Sequence, residues 1–152
     1  MTLSMLTTLE QVRALVAAMP EFRNVYSQAS IDDHRLPAAL SLFPSVLLFT
    51  GPDTDPAKLV QGQKRHTYEV LMRVFCASGG DIGASAYQAT AIVDAVIAMC
   101  EANVALGARV NWFKYRAQSG LVELTYNGVV YPGIDITLEV SEQSSASPTV
   151  GS

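Results

Sequence analysis

The 152-residue chain is poor in charge: 16% of its residues are Asp, Glu, Lys or Arg, against about 25% in ordinary soluble domains, and its mean hydropathy is +0.23. A chain of this length forms one domain with a core of its own, so the shortage of charge falls on the surface and calls for a partner that covers apolar side chains. The formal net charge of -4 opposes nonspecific nucleic-acid binding, MTLSMLTTLE lacks the features of a secretory signal, and Asp94 interrupts the most apolar stretch, AIVDAVIAMC, so no membrane span is expected.

In chain order, Thr7-x-x-Glu10 reads as a capping box opening a first helix, with Leu9, Val12, Val16 and Met19 at helical spacing over residues 8–19 and Pro20 as its stop. Phe22 to Tyr26 is a short predicted strand. IDDHRLPAALSLFP reads as irregular. Ser45 to Phe49, bounded by Pro44 and Gly51-Pro52, is a buried strand. From His66 to Cys76, alternation puts Tyr68, Val70, Met72, Val74 and Cys76 on a core face and Thr67, Glu69, Leu71, Arg73 and Phe75 on a mixed one. Between these strands, Gly51 to Arg65 reads as a long polar loop, of a length usually tied to function or disorder.

Ser78-Gly79-Gly80 ends the strand and Asp81 stands as the cap of a second helix. Its stripe is Ala86, Ala89, Val93, Val96, Ile97, Cys100 and Val104, with the end near Gly107. Strands follow at Val110 to Arg116 and Leu121 to Tyr126. Asn127-Gly128 suits a type I′ turn, and Ile134, Ile136, Leu138 and Val140 alternate with a wet face of Asp135, Thr137 and Glu139. The expected fold is α+β: a mixed, mainly antiparallel sheet with two main helices packed on it. Residues 1–140 form a single domain, and 141–152 read as a flexible polar tail.

Signatures of chemistry are weak. SGGDIGAS lacks the Lys-Ser/Thr of a phosphate loop, and Asp81 occupies the place of the anion. Asp32-Asp33-His34 and Asp53-x-Asp55 have no second half of a metal site. No nucleophile motif accompanies His34, His66, Cys76 or Cys100. The chain is therefore expected not to be an enzyme and to need no cofactor or metal. Cys76 and Cys100, among apolar neighbours, are expected to be free buried thiols. NWFKYR divides as a strand into Phe113 and Tyr115 on one side and Trp112, Lys114 and Arg116 on the other. The second side reads as a protein interface, since Trp and Arg are enriched there, in preference to a nucleic-acid platform.

The order of elements, with RLPAALSLFPSVLLF, HTYEVLMRVFCA, the Ala-rich second helix and YNGVVYPGIDITLEV, resembles the tail terminator (tail completion) proteins of long-tailed bacteriophages over nearly all of residues 5–140. One departure is the extra SLFP between LPAAL and the apolar strand. The resemblance implies a virion structural protein, made in the host cytoplasm. Its copies would form a ring, typically a hexamer, at the head-proximal end of the tail. Its partners would be its own copies, the tail tube protein and the head connector or head-completion protein, with phage DNA passing through without sequence-specific contact and no membrane involved. In such a ring, Asp53 and Asp55 would pair across subunits with Lys58, Lys64 and Arg65 of the 51–65 loop, and Leu59-Val60 would seat on the tube. Another neck or tail component, or a small ligand-binding or enzymatic α+β domain, are the alternative readings.

Overall fold

The computed structural model describes residues 5–27, 40, 42–60, 63–76, 82–106 and 110–145, with the side chains of these except 54–60, 63, 64, 82 and 143–145. Two α-helices and six strands follow the order α1 (Met5–Ala17), β1 (Asn24–Ser27), β2 (Ser45–Val60), β3 (Gln63–Phe75), α2 (Ile82–Ala102), β4 (Trp112–Gln118), β5 (Val122–Tyr126) and β6 (Val129–Ser145). The fold is α+β, as expected. The sheet order is β1-β2-β3-β6-β4, with β5 pairing β6 further along the side that β4 occupies. Among the described strands only β1 and β2 run parallel, because the other neighbours are joined by hairpins or pair as β3 and β6 do, antiparallel from Gln63↔Ser145 to Phe75↔Gly133.

Both helices lie on one face of this sheet. Leu9, Val12 and Val16 of α1 and Ala89, Ile92, Val93, Val96 and Cys100 of α2 are buried against Tyr68, Val70, Met72 and Val74 of β3 and Ile134, Ile136, Leu138 and Val140 of β6. The period-2 pattern of the two central strands thus selects the covered face, and the 3.6 period of the helices supplies the matching stripe. Gln11 Nε2 fastens α1 to the end of α2 by donating to the Leu106 carbonyl at 2.9 Å. A smaller cluster of Leu40, Leu47, Phe75, Leu124, Tyr126 and Tyr131 packs on the opposite face, with Phe75 edge-on to both tyrosines. There Gly133 is obligatory: a Cβ at that position would stand 2.3 Å from the Val74 carbonyl oxygen and 2.5 Å from a Leu124 methyl.

The structure corrects the sequence reading in four places. First, α1 begins by Met5, so Thr7 and Glu10 lie inside the helix and form no capping box; Glu10 instead accepts from Arg13 at 2.6 Å, one turn on. Second, Gly51 to Arg65 is no long loop. β2 continues to Val60 and β3 starts at Gln63, because three register shifts between Thr50 and Lys58 absorb the irregular stretch holding Pro52 and Pro56. β1 covers β2 only at Ser45–Leu48, and an edge strand tolerates residues that lack an N–H. Third, β6 runs to Ser145, five residues into the expected tail, because β3 offers a partner for each of them; Ser141 and Glu142 are buried.

Fourth, Val104 is exposed and Ile92 buried: Val104 falls in the turn after α2 ends at Ala102. By length and composition alone, α2 is long and apolar enough to cross a membrane from Gly83 to Ala102; here its inner side lies on the sheet. The Asn127-Gly128 turn is as read, with φ of 48° and 85°. α2 ends at Ala102, short of the expected Gly107, because the chain turns over 103–106; the Asp81 cap, Asp32-Asp33-His34, most of IDDHRLPAALSLFP and the segment 146–152 lie outside the described residues.

Candidate subunit interface

The sheet face opposite the helices presents the odd-numbered residues of β3 and β6. Cross-strand register places Arg73 beside Asp135, Glu69 beside Glu139 and Thr67 beside Ser141, and adds Trp112 opposite Ser141 and Lys114 opposite Glu139. Register partners share a face, so the Trp112, Lys114 and Arg116 side of β4 is on this open face, while Phe113 is fully buried beneath the helices and Tyr115 packs against the same core. The division of NWFKYR into two sides is thus as read from its alternation.

These three side chains converge on one carboxylate. Trp112 Nε1 donates to Glu139 Oε2 at 2.8 Å, Arg116 Nη1 donates to Glu139 Oε1 at 2.8 Å, and Lys114 Nζ lies 3.6 Å from Oε2. Arg116 keeps the Lys114 side by alternation, just before the register slips between Tyr115 and Ala117, and its side chain also stands 3.7 Å from Glu69. Glu139 is only 8% exposed, and its charge is tolerable there because both oxygens are hydrogen-bonded. Arg65 and Lys114 lie 5.9 and 5.5 Å from the centre of the Trp112 ring, within cation–π reach.

Further along the same face, Phe49, Leu71, Arg73, Asp135 and Thr137 line a hollow of about 370 Å³, and Arg73 Nε is held by Asp135 at 2.9 Å. Among the described side chains this face carries Arg65, Arg73, Lys114 and Arg116 against Glu69, Asp135 and Glu139, one cation more than carboxylates, on a chain of net charge -4. At the β4 edge, Glu101 and Lys114 line a groove of about 290 Å³ together with Val104 and Trp112.

The remaining candidates belong to the β2–β3 hairpin. Asp53 pairs within the chain, its Oδ1 2.6 Å from His66 Nε2. Asp55, Lys58, Leu59 and Val60 are registered with Thr67, Arg65, Lys64 and Gln63, so the expected opposed ends of a loop are neighbours across a ladder. The structure therefore brings Arg65, Trp112, Lys114 and Arg116 together and leaves Asp53 in a separate pair. Sequence reading missed Glu139, His66 and Glu142. Glu139 was legible only as a wet-face residue of an alternating strand. Glu142, buried and accepting from the Tyr68 hydroxyl, fell in the supposed tail.

Both thiols are buried and free. Burial, reinforced by Glu101, pushes Cys100 up to about 12, and burial raises Cys76. Among the described residues, no three His, Cys, Asp or Glu side chains gather as metal ligands. No protein-family model matches the chain, and no curated protein matches it significantly.

Proposed function

We propose that this chain is a structural subunit of a phage tail, whose copies form a ring at the head-proximal end of the tail tube, end tube growth and present a surface to the head. The observation that carries this reading is apolar surface left uncovered on a charge-poor chain. Tyr87, Val104, Val129, Val130, Leu6 and Leu42 are exposed although a complete core lies beneath them. A monomer gains nothing from such surface, and a repeated interface does. The resemblance supplies the biological setting: a leading helix, a hairpin, an Ala-rich helix and a closing hairpin built on YNGVVYPGIDITLEV. In this role the chain catalyses nothing and needs no cofactor. Its chemistry is burial of interface.

The test is polymerisation of tail tube protein with and without the purified chain. Arrested growth at amounts far below one copy per tube subunit is expected, since only tube ends are occupied. Unchanged tube length at every ratio would overturn the reading.

A further inference from the structure

The exposed side of α2 is unusual for a solvated helix. It shows Tyr87, Ala91, Asp94, Ala98 and Glu101, and Ile82–Ala102 contains no Lys or Arg. Tyr87 is 80% exposed, and neither Asp94 nor Glu101 has an ion-pair partner among the described residues. An outward helix face normally carries charges of both signs; the charges on this one are acidic only. On the far side of the molecule, the open sheet face has the opposite character: a hollow beside Phe49 and Leu71 and a surplus cation around Trp112, where Arg65 meets the indole ring and no carboxylate among the described residues.

We infer that α2 of one copy docks on the open sheet face of the next copy, with Tyr87 in the Phe49–Leu71 hollow and Asp94 and Glu101 directed to the Lys114 and Arg65 cations. The spacings agree. Tyr87 and Glu101 are separated by about 21 Å along a helix that rises about 1.5 Å per residue, and Leu71 and Arg65 by about 20 Å along a strand that rises about 3.4 Å per residue. Asp94 falls midway, about 10 Å from each end, where the strand rows of β6 and β4 carry Lys114 alongside. The alanines between the three let the helix approach the sheet closely. Because the two surfaces are different patches, which approach each other only at the β4 edge where Glu101 and Lys114 line one groove, the contact is heterologous, the kind that generates rings when its rotation closes. The inference rests on the ring reading and names the surfaces that mate.

The test uses two complementary full-length variants. Asp94→Lys with Glu101→Lys makes both surfaces basic; Arg65→Glu with Lys114→Glu makes both acidic. Arg65→Glu alone serves as the milder form, leaving the partners of Glu139 in place, and circular dichroism verifies folding throughout. By light scattering, wild type is expected to assemble, and each variant alone to be monomeric at concentrations at least tenfold above the wild-type midpoint. An equimolar mixture is expected to recover the wild-type mass, because each basic surface then faces an acidic one. Tyr87→Ala is expected to raise the midpoint at least tenfold with the melting temperature unchanged. Separate variants that assemble like wild type, or a mixture that stays monomeric, would overturn this contact while leaving the ring intact. Wild type that stays monomeric with and without tail tubes would overturn the ring reading itself, and this inference with it.

Discussion

Trp112 donates its indole N–H to Glu139 at 2.8 Å, joining the strand read as an interface to a buried carboxylate of the open face. The bond makes the Trp112 side of β4 part of the chain's own architecture, beside the interface role proposed for it. Trp112→Phe keeps a ring beneath Arg65 and Lys114 but removes the donor. A loss of about 0.5–1.5 kcal/mol is expected, the net worth of one hydrogen bond, measured by urea unfolding. Glu139→Ala removes the acceptor of both Trp112 and Arg116 and is expected to cost more, about 1–3 kcal/mol, a range tempered by the exposure of the Arg116 and Lys114 heads. Equal stability of Glu139→Ala and wild type would deny the network any structural role.

Gly133→Ala is expected to be among the most damaging single substitutions. The added methyl would meet the backbone oxygen of Val74 at 2.3 Å, and a backbone atom held in the β3–β6 ladder cannot swing aside as a side chain does. Overpacking typically costs about 1–3 kcal/mol, occasionally more, and the variant is expected at or beyond the upper end. Gly120→Ala, where a Cβ would meet nothing within 4 Å but φ is 76°, separates backbone strain from crowding and is expected to cost about 1 kcal/mol. Thermal melts of the two variants compare them directly.

Cys76 and Cys100 are expected to resist a thiol reagent at pH 8 until the protein is unfolded, because burial disfavours the thiolate of both. A native protein that titrates rapidly would contradict that burial. The sign of the pH dependence follows. In the unfolded chain, thiols ionise near pH 9, whereas Cys100 holds its proton up to about 12. Over that interval the native state binds more protons than the unfolded one, so stability falls as pH rises, by at most about 1.4 kcal/mol per pH unit for one thiol. Below pH 9 neither state is ionised there and the contribution is flat. Cys100→Ala is expected to flatten the alkaline limb.

The β2–β3 hairpin is expected to resist limited proteolysis in the free subunit, since Gly51–Val60 is paired with β3 and β3 in turn with β6 as far as Ser145. Replacing residues 53–63 with a short Gly-Ser linker removes the Asp53–His66 pair and the end of the ladder but none of the main core. A folded subunit with a lower melting temperature and impaired assembly is expected. Normal assembly by the linker variant would take the hairpin out of the interface.

How much of this was legible in the sequence depended on whether a residue's neighbours were local. The alternation of Tyr68 to Cys76 and of Ile134 to Val140 named the covered face of both central strands, and Asn127-Gly128 placed the closing hairpin, because period and turn chemistry are properties of a few adjacent residues. The Gly51–Arg65 hairpin was hidden by its two prolines and by acidic and polar residues. They fit a strand because, among the described residues, no strand pairs with the outer edge of β2 beyond Leu48, which is a fact of sheet order. Thr7-x-x-Glu10 satisfied the pattern of a cap, yet the helix had begun earlier. The convergence on Glu139 was illegible because its partners are 23 to 27 positions away, and which distant strand lies beside β4 is not a property of adjacent residues.

The most direct measurement is negative-stain imaging of tail tubes mixed with the gold-labelled chain. A closed ring at one end of each tube only, with further growth from that end arrested, is the expected result. Label scattered along the tubes, bound equally at both ends, or absent from tubes altogether would contradict a terminating ring.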